Sequence, residues 1–287
     1  MDTLESLKKS NCHLHLTGAL SPQVLRDVNS VIEGGGSNLL GLEDHIDFDN
    51  PHLWEAAKDT TSTKEGLLLS VAAVVEQELR DNVDYVELTL NPYGMVRRGM
   101  KIDDIVETLI VAQGYAEQNG MEICYKYGVN RKDGPESVDL VHDVYIASLD
   151  KIRFGIDLNG DELRFSTSDF IDAFRSVSAA GVPTTIHAGE AIGSEQSLKD
   201  ALTADPVRIG HALAVVHDHR LLDLIRERNI TVEVSMVSNI RRRLIASFMT
   251  HPIRRLIEQD VSIVFGSDDP AFFDNCMSPS PYTEHTV

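Results

Sequence analysis

The chain has 287 residues, 42% of them apolar, with 26 Lys and Arg against 45 Asp and Glu for a formal charge of −19. That length fits two average domains or one large α/β barrel, and the apolar content supplies a sizeable core. So acidic a surface repels phosphate backbones, which excludes nucleic acid as an expected partner and leaves a small-molecule substrate open. The three cysteines, Cys12, Cys124 and Cys276, are odd in number and far apart. They imply neither a disulfide framework nor a cysteine metal motif. The first residues, MDTLESLKKSN, lack the apolar core of a leader. No run approaches the roughly 20 apolar residues of a membrane span. The expectation is a cytoplasmic protein without a membrane partner.

In chain order, a strand is expected over 11–16. Ser21-Pro22 then starts a helix, with the cap at Ser21 and proline at the first helical position. Residues 31–64 interrupt the pattern with GGGS at 34–37 and a mixed acidic and aromatic stretch. An insertion after the first strand of a barrel lies on its catalytic face, so this segment reads as a lid or as a surface excursion with a small local core. Helical periodicity follows over 65–82 and a strand over 84–90, then a helix over 102–119 and a strand over 121–129. A strand over 151–158, a helix over 167–180 and strands over 182–187 and 207–210 come next. A helix over 217–229, a strand over 231–236, a helix over 251–259 and a strand over 261–266 complete the alternation. Eight strands separated by helices predict a single-domain (β/α)8 barrel over residues 1–287, with a doubly wound open sheet as the alternative. No phosphate-binding glycine motif follows any strand. Residues 274–287 hold two prolines and little periodicity, so the C-terminus reads as shortened, without a closing helix. A patch exposed beside strands 1 and 8 would suit a homo-oligomer.

Four islands at strand ends carry chemistry: His13-Leu14-His15, Thr185-Ile186-His187-Ala188-Gly189-Glu190, Ile209-Gly210-His211 and Ser267-Asp268-Asp269-Pro270. His13 and His15 are two apart, which on a strand turns both imidazoles to one face. His187 and His211 each close a short strand. Adjacent acids at Asp268 and Asp269 are costly at the end of a packed strand unless paired or metal-bound. Taken singly, each histidine fits a satisfied structural role as well as a ligand role. Together they form a nitrogen and oxygen donor set with a carboxylate to spare. His217 and His219 read as solvent-facing.

The same islands, with YVELTLNP, GIDLNGDE and VSN between them, resemble in order and spacing the adenosine deaminase family of metal-dependent purine aminohydrolases. The resemblance covers most of the chain. It implies a hydrolase acting on the C–N bond of a cyclic amidine, converting an adenosine-type compound to an inosine-type product and ammonia. It further implies one zinc per chain held by His13, His15, His187 and Asp268. Glu190 would give a proton to purine N1 and His211 would act on the attacking water. His15, Thr17, Gly160 and Asp269 would meet the substrate, with Asp269 on N7 and the Gly160 backbone N–H on N3. The family usually has an acid where this chain has Thr17, two residues beyond His15. An uncharged residue there opens the alternatives of adenine, a 5′-modified adenosine or N6-methyl-AMP. A binuclear site is disfavoured, because Lys151 opens strand 4 where a bridging lysine should close it. A reading from another class is a non-catalytic purine-binding relative.

Overall fold

The computed structural model describes residues 6–32, 48, 50–148, 155–273 and 277. Eight parallel strands lie side by side in sequence order: β1 Lys9–His15, β2 Val83–Leu90, β3 Glu122–Asn130, β4 Gly155–Asn159, β5 Thr184–Ala188, β6 Arg208–His211, β7 Thr231–Val234 and β8 Ile263–Phe265. Helices occupy the connections, as parallel crossovers require. The edges meet through one bridge, Leu14 with Asp268, reinforced by Asp268 N to His13 O at 2.8 Å and His15 N to Asp268 O at 2.9 Å. The sheet is therefore a (β/α)8 barrel, and its seam closes beside the predicted site.

The expected alternation holds in order. Ser21 Oγ accepts from Val24 N at 3.2 Å ahead of the helix Pro22–Val31. The helices Lys64–Arg80 and Ile102–Gln118 bury Leu67, Val71, Val74, Ile105 and Leu109 against the strands. Two strands are shorter than expected. β7 stops at Val234 because the helix Met236–Arg241 begins at once, and β8 spans Ile263–Phe265 rather than 261–266. Ile263 and Val264 are only half-buried, so β8 is not the packed strand that its apolar sequence suggests. The first part of strand 4, with Lys151, lies outside the described residues, as do most of 31–49 and 274–287. From the insertion, the helix Pro51–Thr60 is described. It buries Leu53, Ala56 and Ala57, and its Trp54 ring stacks on Phe272 at 4.2 Å, just beyond β8. It thus sits on the face where a lid was expected.

Along β1 the pairing to β2 jumps from Asn11–Val86 to Leu14–Leu88, one residue more on β1. Such a bulge re-aims side chains. Asn11 reaches outward to Glu78 Oε2 at 3.0 Å, whereas His13 and His15 turn into the barrel. The interior beneath them is charged rather than aliphatic. Lys126 Nζ lies 2.6 Å from Glu233 Oε1, 3.1 Å from Glu87 Oε2 and 2.7 Å from Cys12 O. Arg208 grips Glu87 with two nitrogens at 2.8 and 3.0 Å. Burial opposes all these charges, and mutual pairing compensates it. No helix among the described residues is long and apolar enough to cross a membrane.

Candidate active site

β1, β5 and β6 and the turn after β8 bring His13, His15, His187, His211, Asp268 and Asp269 to one end of the barrel. His187 Nε2 is 3.1 Å from His13 Nε2 and 3.3 Å from His15 Nε2. Asp268 Oδ1 is 3.5 Å from His15 Nε2 and 3.7 Å from His13 Nε2. Donors placed tetrahedrally about 2.0–2.1 Å from one ion would be spaced about 3.4 Å apart. The outer ring nitrogens explain why these contacts are not ordinary hydrogen bonds. His13 Nδ1 donates to Glu233 Oε2 at 2.6 Å and His187 Nδ1 to Asp157 Oδ1 at 3.1 Å. With Nδ1 carrying the proton on both rings, two Nε2 lone pairs face each other at 3.1 Å. That is repulsive unless both point at a shared cation, either a metal ion or a proton held on His187 Nε2. Asp268 Oδ2 is buried without a partner. The residues therefore fit a divalent ion with nitrogen and oxygen ligands, and Glu233 and Asp157 orient two of them.

The backbone is held for this purpose. His211 and Asp268 sit in the left-handed region at φ 64° and 68°. For residues other than glycine this costs about 1–3 kcal/mol, typical of functional sites. Asp268 is therefore past the strand, and its separation from Asp269 follows from this turn rather than from strand alternation. Gly266 permits the crossing, since a Cβ there would lie 2.2 Å from His13 Cβ.

Burial pushes His15 down to about 3 and His211 down to about 4, so both are neutral near pH 7. His13 is lowered by the same cause. For His187, burial opposes the charge but the Asp157 carboxylate outweighs it and raises the pKa. Burial also works against a charged Asp268, yet His211, His13 and His15 hold it well below the usual range. Burial and the neighbouring Asp268 charge push Asp269 well above its usual range. Of the adjacent acids, the surroundings favour the charged form of Asp268 and the protonated form of Asp269.

Around the donors, Glu190 Oε1 is 3.5 Å from His211 Nε2. Its turn is pinned by Glu162, whose carboxylate accepts from Gly189, Glu190 and Ala191 N at 2.9, 2.8 and 2.7 Å. Thr17 opens the short turn Thr17–Ala19 after β1, and Gly18 next to it packs directly under Asp269. Gly160 follows β4 directly, at φ 98° and near Asn130. All the residues expected from the sequence lie on this face.

Several residues escape sequence reasoning. Glu233, Lys126 and Asp157 are charges inside parallel strands, where continuous apolar runs are the rule. That anomaly is the signal they leave. Asn239 lies in the VSN motif but with no role assigned to it, and His251 leaves no signal. Ile253 N donates to His251 Nδ1 at 3.1 Å, so His251 Nε2 carries a proton toward Asn239 Oδ1 at 3.3 Å. The Asn239 amide is thereby oriented to donate to His211 Nδ1 at 3.1 Å. The network assigns the His211 proton to Nε2, facing the site.

A parallel eight-stranded barrel that gathers histidines and a carboxylate at its C-terminal mouth defines a barrel of the metal-dependent hydrolase type. Residues 8–283 match the family model described as adenosine deaminase, and the chain belongs to that family. An adenosine deaminase of Vibrio cholerae is 30% identical over 200 residues, covering 69% of this chain and 59% of that protein. The chain thus spans less than two thirds of that relative. An adenine deaminase of Rhizobium etli is 31% identical over 275 residues, covering 93% of this chain and 84% of its own length. The solved structure of the Arabidopsis N6-mAMP deaminase superposes with a TM-score of 0.81 at 22% identity, covering 96% of this chain and 86% of that one.

Proposed function

We propose that this protein is a zinc-dependent hydrolase that deaminates a 6-aminopurine nucleoside or a close relative at C6, releasing ammonia. The observation that carries this reading is the convergence of three Nε2 atoms and Asp268 Oδ1 on one point, with Glu190 and His211 beside it. His13, His15, His187 and Asp268 would hold one zinc per chain. When bound, the metal supplies Lewis acidity that makes water a nucleophile near pH 7.

The protein groups perform the rest. Water adds at C6, and charge builds on N1 as aromaticity is lost. Glu190, fixed by Glu162, gives N1 its proton. His211, neutral and with its proton on Nε2, donates to the attacking oxygen and orients it. Asp269 keeps a proton and so can donate to N7, which only accepts. The N–H of Gly160 suits N3. Of the two protons that the water brings, one restores Glu190 and the other passes to the amino group, which leaves the tetrahedral carbon as ammonia.

Thr17 carries no charge, so it repels a 5′-phosphate less than an acid would. This favours 5′-modified adenosines and N6-methyl-AMP as candidates beside adenosine and adenine. The test is a panel of these compounds with metal-replete protein, following ammonia and the loss of adenine absorbance. Glu190→Gln should abolish turnover and leave metal and purine binding in place. If wild type leaves every compound unchanged at C6, the reading fails; if it still binds purine, the non-catalytic relative replaces it.

A further inference from the structure

The guanidinium of Arg242 is in direct contact with Glu190 Oε1. Arg242 follows the helix Met236–Arg241 at the mouth of the barrel, its backbone N bonded to Ser238 O at 2.8 Å. Its guanidinium also lies over the Phe48 ring, 5.0 Å from the centroid. The side chain is 28% exposed, against 14% for Glu190, so it is the more open to solvent of the two.

This contact and the chemistry exclude each other. A carboxyl that gives its proton to N1 must first hold that proton, and a guanidinium at hydrogen-bond range favours the carboxylate. Arg242 must therefore leave Glu190 before the reaction. A neutral purine offers the displaced guanidinium only water. A phosphate or carboxylate on the substrate offers it a forked, charge-assisted pair of hydrogen bonds. The surrounding site cannot supply that attraction. Asp268, Asp157 and Glu233 are negative, and two cations beneath the donors, Arg131 and Lys126, are built into the barrel. Arg131 is committed to Thr167 Oγ1 at 2.8 Å and His187 O at 2.6 Å. Lys126 is committed to Glu233, Glu87 and Cys12 O. Thr17, without charge, adds no repulsion.

We infer that Arg242 is a specificity-determining residue that occupies Glu190 until an anionic group on the substrate draws its guanidinium away, so that the preferred substrates are 6-aminopurine compounds bearing a phosphate or carboxylate. The inference rests on the deaminase reading above. The test compares kcat/KM of metal-replete wild type, R242L and R242K on adenosine, adenosine 5′-monophosphate and N6-(carboxymethyl)adenosine. The two anions place the charge at the ribose end and on the departing amine, and so locate the group that Arg242 meets. Wild type should favour at least one anion over adenosine by about tenfold or more, which corresponds to about 1.4 kcal/mol. R242L should erase that preference, lowering the favoured anion about tenfold more than it changes adenosine. R242K, which keeps the charge without the fork, should fall between. Equal or better turnover of adenosine by wild type overturns the inference, as does an equal loss on neutral and anionic substrates in R242L. If no purine is turned over, the deaminase reading fails by itself. Calorimetric binding of the same three compounds then decides: tighter anion binding in wild type that R242L removes supports the role of Arg242, and equal binding overturns it.

Discussion

Gly18 offers a steric test of the proposal that Asp269 meets the purine. An ideal Cβ at this position would lie 1.7 Å from Asp269 Oδ1 and 2.4 Å from its Cγ. Non-bonded heavy atoms are comfortable at about 3.5 Å, so Gly18→Ala must drive the Asp269 carboxyl roughly 1.5–2 Å out of place. Overpacking of this kind costs about 1–3 kcal/mol of stability. A misplacement of about 1 Å can cost about 10²-fold in rate, so kcat/KM should fall by about 10²-fold or more. Zinc content, read by elemental analysis, should stay at the wild-type value, since Asp268 points elsewhere. The effect should also run through Asp269 alone. In a double-mutant cycle, Gly18→Ala made in an Asp269→Ala background should then cost almost nothing further. Full activity in Gly18→Ala, or a second 10²-fold loss in that background, would refute the placement of Asp269 at the substrate.

Two further predictions concern charges away from the reacting atoms. Burial pushes the Glu78 carboxyl up to about 7, despite the hydrogen bond from Asn11. A raised folded-state pKa means that the native state keeps its proton where the unfolded chain, near 4.3, has lost it. The associated stability is full below about pH 4 and disappears as pH rises through about 7, about 3–4 kcal/mol in all. Urea unfolding at pH 5 and pH 8 should show most of this loss, about 2.5 kcal/mol, in wild type and not in Glu78→Gln; matching pH dependence in the two proteins would count against it. Lys126→Met removes the buried partner of Glu233 and Glu87. Breaking such a pair costs about 3–5 kcal/mol, which denaturant titration should register, and a change under about 1 kcal/mol would show that the network is not held by Lys126.

Much of the architecture is readable along the chain because it is periodic. The apolar runs and their spacing yield eight strands, and Ser21-Pro22 marks a helix start that the structure confirms with a cap. Strand ends are less readable. The apolar run at 261–266 looks like a core strand, yet only Ile263–Phe265 pairs, because the following residues must turn toward β1 to close the seam. The bulge in β1 is equally invisible: nothing in Asn11-Cys12-His13 announces that Asn11 faces a helix and His13 the barrel interior.

The sequence by itself determined the barrel alternation and the residue types that converge on the site, because periodicity and motif spacing are local properties. Tertiary structure decided how those residues work. Glu233 and Asp157 fix which nitrogens of His13 and His187 face inward, and Asn239 with His251 fixes the proton on His211. Burial beside Asp268 favours the proton on Asp269, and Arg242, at the end of a helix, comes to rest on Glu190 52 residues away in sequence. Each of these depends on hydrogen-bond partners and dielectric surroundings drawn from different strands, and such pairings exist only after the barrel has closed.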